Sequence, residues 1–145
     1  LVETSNNLAI VKSEGGYIVF ELLQRSSVET QKDDIRNAVA CTFAMVGAEI
    51  EHSHDYPGWK PNVHSEILKE MVSVFNNMYG KEPKLMAVHA GLECGLLGKV
   101  YPHWDMISFG PTIRSPHSPD EKVNIESVGE FWKYLVETLK NIPKK

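Results

Sequence analysis

The chain has 145 residues, which suits one modest domain or parts of two. With 42% hydrophobic and 23% charged residues and a formal net charge of −4, it resembles an ordinary globular protein, without a basic stripe for nucleic acid or a basic patch for a membrane surface. No apolar run approaches the roughly 20 residues that span a bilayer, so composition excludes these classes but names no function.

Two strands and a helix are predicted in the first third of the chain. Residues 4–12 and 16–24 read as strands joined by a turn at residues 13–15, and the dense apolar run of the second strand predicts that it lies inside a sheet. Ser26 and Glu29 fit a capping box, in which each side chain satisfies a free backbone N–H of the other residue. The helix that follows ends at Gly47, and its apolar stripe consists of Val28, Ile35, Val39, Phe43 and Val46.

The middle of the chain combines short strands, a rigid turn and a second helix. Residues 48–54 are predicted as a strand, and the aromatic, proline-containing residues 56–62 as a hinge or domain crossing. Residues 85–89 are predicted as a buried strand, and residues 91–97 as a turn into a short helix that ends at Gly98. Between them lies an amphipathic helix that ends before Gly80 and directs inward Ile67, Leu68, Met71, Val74, Phe75 and Met78.

The last part of the chain is predicted as a strand, a loop and a helix. Residues 106–109 form the strand, and residues 111–120 form a loop with three prolines. Ser127 and Glu130 fit a second capping box, which opens a helix that ends at Pro143. The apolar face of this helix consists of Phe131, Trp132, Leu135, Val136 and Leu139. Because strands alternate with helices, the predicted class is α/β or α+β.

His117 is the first candidate functional residue. It stands between Pro116 and Pro119 and beside Asp120 and Glu121. Neutral imidazole is the commonest transition-metal ligand, and flanking prolines reduce the entropy lost in holding it. From spacing alone, a solvated surface turn is the favoured interpretation, because one histidine cannot make a metal site.

Two further places have both a functional and a structural interpretation. The turn HAGLECG leads from a strand into a helix, where free backbone N–H groups can hold a carboxylate, or where glycine simply allows close packing. Glu93 in this turn is most simply an acid at a helix start. Arg25, after a buried strand, can clamp a substrate carboxylate, although pairing with Glu29 or with solvent is the simpler expectation.

Two histidine-rich patterns are interpreted as coincidental. His52 and His54 share one face of a frayed strand end, and the sequence His103-Trp104-Asp105 matches a short H-x-D pattern that is very common. Two cysteines, Cys41 and Cys94, are too few for a disulfide framework, so reduced thiols in a cytoplasmic protein are expected. The start LVETSNNLAI lacks signal-peptide features and an initiator Met, and we expect a piece of a longer polypeptide.

Together, these segments resemble one known family. The tract from HAGLECG through SPHSPDE and IESV to the end is similar to the C-terminal stretch of the aminoacyl-histidine (Xaa-His) dipeptidases, within the M20 metallopeptidases. The segments GYIVFELLQRSSVET and DYPGWKP match the part that precedes it. The resemblance extends from Gly16 to Pro143, and this combination of motifs at these spacings is specific.

The resemblance implies a catalytic domain interrupted by a lid domain, with residues 1–55 ending the lid and residues 56–145 ending the catalytic domain. It implies that His117 ligates one of two zinc-type ions, with cobalt or manganese as alternatives. It also implies that the Gly91 backbone contacts substrate and that Arg25 holds the dipeptide. In such enzymes metal-bound water attacks the peptide carbonyl, and an upstream Glu is the general base.

The resemblance also implies that the remaining metal ligands and the catalytic Glu belong to an N-terminal half, which we expect this sequence to lack. We therefore expect no catalytic residue in this chain and no activity of the chain alone. The expected partners are the missing N-terminal half and a dipeptide substrate, and the enzyme is expected to form a homo-oligomer. His103-Trp104-Asp105 lies in the wrong order to replace the family's H-x-D. Two alternatives stay open: another M20 exopeptidase or deacylase, and a non-catalytic module for dimerisation or binding.

Overall fold

A computed structural model describes residues 2–87 and 92–142. In chain order its elements are β1 (Thr4–Glu14), β2 (Tyr17–Ser26), α1 (Glu29–Ala44), α2 (Glu66–Tyr79), α3 (Glu93–Val100), β3 (Ile113–Arg114), β4 (Lys122–Val123) and α4 (Ile125–Asn141). This mixture of strands and helices confirms the predicted class. None of the helices in the described ranges is long and apolar enough to cross a membrane.

The chain divides into two compact units. The first unit comprises Leu1–Pro61 and Met86–Trp104, and the second comprises Asn62–Leu85 and Asp105–Lys145. The boundary that the resemblance implies, between residues 55 and 56, concerns the domains of a longer enzyme and stays a prediction.

The strands β1 and β2 form an antiparallel hairpin in the first unit. Its register runs from Thr4 opposite Ser26 to Glu14 opposite Tyr17, with an irregularity between Leu8 and Ile10. Both predicted strands form, and each continues two residues beyond its predicted end, so that residues 13 and 14 belong to β1 rather than to the turn. The predicted burial of the second strand is wrong: β2 lies in a two-stranded sheet, and Tyr17, Ile18 and Leu23 are 73%, 68% and 44% exposed. The turn between the strands uses two glycines with φ of 60° and 85°, a left-handed geometry that matches the twist of a tight hairpin.

Helix α1 packs on this hairpin, and the rings of Phe20 and Phe43 lie 5.1 Å apart. The predicted capping box at its start is wrong: Val28 is the N-cap and makes no side-chain cap. Ser26 Oγ instead accepts from the Val28 N–H at 3.0 Å and contacts Thr4 Oγ1 at 2.9 Å, because Ser26 still belongs to the hairpin. Val46 lies beyond the helix and is 80% exposed, so it does not extend the packed stripe.

Helices α2 and α4 form the core of the second unit. Met71 and Val74 are 3% exposed, and the Tyr134 hydroxyl donates to the Met71 carbonyl oxygen at 2.7 Å. Ser65 caps α2 and Gly80 ends it, and the six side chains predicted to face inward are all buried or half-buried. The prediction for this helix is therefore confirmed.

The predicted start and face of α4 need correction. Its N-cap is Asn124, whose side chain accepts from the Ser127 N–H, so the helix begins before the predicted capping box. Trp132 and Leu139 are 62% and 60% exposed. Phe131, Leu135 and Val136 are half-buried as predicted, whereas Tyr134 and Thr138, which were not predicted, are half-buried and buried.

Several short predicted strands are not formed. Residues 48–54 and 106–109 are irregular, and so are residues 85–87, while the rest of the predicted strand 85–89 lies outside the described residues. A strand requires a hydrogen-bonded neighbour, and within residues 2–87 and 92–142 the paired strands are β1 with β2 and β3 with β4. Helix α3 also continues past Gly98 to Val100.

Candidate functional site

His117 lies at the tip of a small hairpin that the sequence did not predict. Ile113 pairs with Val123 and Arg114 pairs with Lys122, so β3 and β4 close the loop on both sides. The Asn124 N–H donates to the Thr112 carbonyl oxygen at 2.9 Å, which extends this closure to the start of α4. The predicted proline loop is therefore the turn of a two-stranded hairpin and holds His117 at an exposed tip.

Hydrogen bonds inside this turn fix the backbone of His117. Its N–H donates to Glu121 Oε2 at 2.6 Å, and its φ of 63° lies in the left-handed region. Ser118 Oγ donates to the Ser115 carbonyl oxygen at 3.0 Å and accepts from the Asp120 N–H at 3.2 Å. A left-handed non-glycine residue stores strain that its surroundings must offset. Glu121, which would simply face solvent in a solvated surface turn, provides part of this support through its hydrogen bond.

The described residues do not complete a metal site. Among residues 2–87 and 92–142, no three His, Cys, Asp or Glu side chains lie together in a way that could hold a metal ion. An exposed imidazole on a pinned turn fits the chemistry of a single ligand, whereas each zinc needs about four. That His117 ligates one of two metal ions stays a prediction.

Arg25 lies near the end of β2, opposite Ser5 on β1. Its side chain is exposed, and none of the ion pairs found in the described part of the chain involves it. The simpler expectation was a pair with Glu29 or with solvent; Glu29 binds Lys32 at 2.9 Å, and the exposure of Arg25 agrees with the solvated alternative. The role of Arg25 in holding the dipeptide stays a prediction. Arg25 and His117 belong to different compact units.

The glycine-rich turn is only partly described. Gly91, the predicted backbone contact for substrate, lies outside the described residues. Glu93 is exposed in the first turn of α3, as expected for an acid at a helix start. A Cβ on Gly95 would lie 2.7 Å from the Pro57 carbonyl oxygen, so this glycine permits close packing against residues 57 and 58.

Lys32 forms a charged cluster that the sequence patterns did not reveal. Its side chain is 9% exposed, and its Nζ lies 2.9 Å from Glu29 Oε2 and 2.7 Å from Asp55 Oδ1. Nζ also donates to the Tyr56 carbonyl oxygen at 2.9 Å. The acid three residues before Lys32 was visible as a helical neighbour, but Asp55 comes from a distant part of the sequence. Such a partner cannot be found by local spacing.

The charges of this cluster stabilise one another. Burial opposes the charged form of Lys32, but hydrogen bonds to Asp55 and Glu29 together raise its pKa. Burial likewise opposes ionised Glu29, yet the Gly58 N–H and Lys32 lower its pKa overall. The hydrogen bond from Lys32 is the main reason that the pKa of Asp55 is lowered. All three groups are therefore charged at neutral pH.

The histidine-rich patterns have local structural roles. His54 Nδ1 lies 2.9 Å from Ser53 Oγ, and Asp55 belongs to the Lys32 cluster. Asp105 Oδ2 accepts from the Ile67 N–H at 3.0 Å, at the start of α2. Burial opposes the ionisation of Asp105, but this N–H and the neighbouring groups of Ser65 and Glu66 lower its pKa. Asp105 thus stabilises a helix N-terminus.

The chain belongs to a family of peptidases. The model described as Peptidase family M20/M25/M40 matches residues 4–141, which is nearly the whole sequence. The resemblance inferred from HAGLECG, SPHSPDE and IESV is therefore confirmed at the level of the family.

Two relatives share the full length of the chain. Cytosol non-specific dipeptidase from Escherichia coli (strain K12) is 41% identical over 145 residues, which cover 100% of this chain and 30% of that protein. The crystal structure of aminoacylhistidine dipeptidase from Vibrio alginolyticus matches with a TM-score of 0.81 and 43% identity, again over 100% of this chain and 30% of the other. The chain thus spans about 30% of the length of the relatives it matches.

Proposed function

We propose that this chain is the C-terminal part of a cytoplasmic, metal-dependent dipeptidase that hydrolyses Xaa-His dipeptides. The observation that carries the proposal is the turn at His117, which lies inside the matched family region and presents an imidazole on a backbone pinned by Glu121. The names of both relatives contain the word dipeptidase, which supports this substrate class over a deacylase.

In this proposal the chain contributes to substrate and metal binding but not to proton transfer. His117 supplies one imidazole to a pair of divalent ions, zinc by preference and cobalt or manganese as alternatives. Such ions, when bound, polarise a carbonyl and lower the pKa of a bound water. Arg25 binds the carboxylate of the dipeptide through two parallel hydrogen bonds, which suit the planar guanidinium. The backbone of Gly91 is proposed as a further contact.

The test is hydrolysis of Ala-His by the complete enzyme. The His117→Ala variant should lose most of the activity and part of the bound metal, because a metal has few protein ligands. Asp120→Ala is the matched control, since only its backbone N–H is known to enter the turn, where it donates to Ser118 Oγ. Near-normal rate and metal content in His117→Ala would contradict the proposal.

Substrate range is tested in the same assay. The two relatives carry names that differ in specificity, one non-specific and one aminoacylhistidine. Xaa-His specificity predicts a kcat/KM for Ala-His that exceeds that for Ala-Leu and for N-acetyl-histidine. Equal values for both dipeptides would favour a broad dipeptidase, and preference for N-acetyl-histidine would favour a deacylase. Absence of any turnover would leave the binding module as the better description.

A further inference from the structure

Lys32 and its partners hold residues 55–58 against the start of α1. The same ammonium group contacts the Asp55 carboxylate and the Tyr56 carbonyl oxygen, at 2.7 and 2.9 Å. Glu29 completes the arrangement, because its Oε2 binds Lys32 and its Oε1 accepts from the Gly58 N–H at 2.6 Å. One helical turn thus fixes three positions of a segment that has no regular secondary structure.

The other side of this segment lies against the end of β2. A Cβ added to Gly58 would collide with the carbonyl oxygen of Ser26, so the two backbones are in direct contact. Ser26 is 3% exposed and is held in turn by Thr4 Oγ1. Arg25 is the residue immediately before it. Residues 55–58 therefore pack against the end of β2, next to Arg25, the proposed substrate-binding residue.

We propose that Lys32, together with Glu29 and Asp55, is a positioning clamp: it holds residues 55–58 against Ser26 and thereby sets the position of Arg25 for the substrate carboxylate. Lys32 does not touch the substrate in this proposal and acts through Arg25. The inference rests on the proposed function, since it takes Arg25 as the residue that binds the dipeptide.

The physical reason for a lysine here is the number of oxygens that it joins. An ammonium group has three donors, and this one faces two carboxylates and a backbone carbonyl. A nearly buried lysine is uncommon unless it is paired. Removing it leaves Asp55 and Glu29 close to each other without the ammonium group that joins them, although Lys99 and Arg36 still act on Asp55. The segment therefore loses its attachment and gains a repulsion.

The first experiment measures steady-state kinetics of the complete enzyme with Ala-His. Lys32→Met keeps the length and the apolar stem but loses the charge, and it should raise KM about tenfold while kcat changes less than threefold. Lys32→Arg keeps the cation and should recover part of the KM. Lys133→Met is the matched control, because Lys133 forms the same i, i+3 pair with Glu130 at 2.9 Å but is 66% exposed.

The second experiment measures hydrogen exchange of the peptide that contains Gly58. The Gly58 amide should exchange at least tenfold faster in Lys32→Met and at an unchanged rate in Lys133→Met. Asp55→Asn gives a milder variant, in case Lys32→Met does not fold, and it should shift KM and exchange in the same direction. Unchanged KM and exchange in a folded Asp55→Asn would overturn the clamp.

The two measurements separate the failure of the clamp from the failure of the proposed function. Faster exchange with an unchanged KM would overturn the positioning role, because the segment would be released without affecting substrate binding. Equal losses of kcat and kcat/KM would also overturn it. A wild-type enzyme without dipeptidase activity would overturn the proposed function and the role of Arg25. The exchange comparison would still decide whether Lys32 holds residues 55–58.

Discussion

At the scale of single residues, the acids near His117 have different roles although they are adjacent in sequence. Glu121 accepts a hydrogen bond from the His117 N–H, whereas Asp120 enters the turn through its own backbone N–H. The φ of 63° at His117 needs such support, because this conformation is unfavourable for a residue with a Cβ. Glu121 is therefore expected to influence the proposed metal ligand without binding metal itself.

We predict that Glu121→Ala in the complete enzyme lowers metal content and dipeptidase rate, by less than His117→Ala. Glu121→Gln should recover part of the loss, since its amide oxygen can still accept from the His117 N–H. Asp120→Ala should stay within about twofold of the wild type. Metal analysis and kcat, measured on the same preparations, check this order. Equal effects of Glu121→Ala and Asp120→Ala would show that the hydrogen bond has no functional role.

Arg25 carries the second prediction at this scale. A desolvated, charge-assisted pair with a substrate carboxylate contributes roughly 1.5–3 kcal/mol, so Arg25→Ala should reduce kcat/KM by roughly ten- to a hundredfold with metal still bound. Arg25→Lys should recover only part, because a point charge cannot copy the fork of the guanidinium. An unchanged kcat/KM in Arg25→Ala would contradict the substrate-binding role and favour an arginine that interacts only with solvent.

At the scale of elements, the packing of residues 55–58 depends on the absence of a side chain at Gly58. An added Cβ would meet the Ser26 carbonyl oxygen and the backbone of Ser27, and backbone atoms cannot rotate away. We predict that Gly58→Ala destabilises the enzyme by about 1–3 kcal/mol, the usual cost of overpacking. Gly129→Ala is the control, because nothing lies within 4 Å of its added Cβ, and alanine in helix α4 should stabilise by about 1 kcal/mol. Chemical unfolding measures the stability of both variants. An unfolding midpoint of Gly58→Ala equal to that of the wild type would contradict the close contact.

The charged cluster on α1 predicts a pH dependence of stability. The pKa values of Glu29 and Asp55 lie below their ordinary values of 4.5 and 3.8 in the folded state. Depressed carboxyl pKa values contribute stability above the unfolded values, and this contribution is lost as pH falls through the folded values. The wild type should therefore be more stable than Lys32→Met at pH 7, and this difference in unfolding midpoint should become smaller below about pH 4. A difference that stays constant down to pH 3 would contradict the assignment.

At the scale of the whole molecule, few apolar side chains are buried among the residues that the structure describes. In the described part, the buried hydrophobic residues are Met71 and Val74, each 3% exposed. The hairpin exposes apolar side chains on both strands, including Leu8, Ile10, Ile18 and Phe20 at 53%, 46%, 68% and 41%. Open strand edges and exposed apolar faces favour association with other chains.

We predict that the chain of 145 residues, expressed alone, is ordered but self-associates as a dimer or larger species. Sedimentation at micromolar concentration measures this, and a strictly monodisperse monomer would contradict it. The same preparation should show no turnover of Ala-His with added zinc, cobalt or manganese, since His117 is a single proposed ligand and each zinc needs about four. Measurable turnover by the isolated chain would contradict this second expectation.

The sequence by itself determined the local elements and the family. The hairpin follows from two strand-like segments joined by a glycine-containing turn, and α2 follows from a period-3.6 apolar pattern that ends at Gly80, because these signals act between near neighbours. The family follows from motifs whose residue types are specific at fixed spacing.

Only the tertiary structure decided which distant groups meet. The carboxylate of Asp55 contacts Lys32, which lies 23 positions earlier in the sequence, and the Gly58 N–H contacts Glu29, which lies 29 positions earlier. Glu29 therefore binds residues 55–58 rather than capping its own helix. Likewise, the turn at His117 becomes a hairpin tip only when β3 finds β4. Local patterns describe what a segment can do alone, whereas hydrogen bonds between distant segments depend on where the folded backbone brings them together.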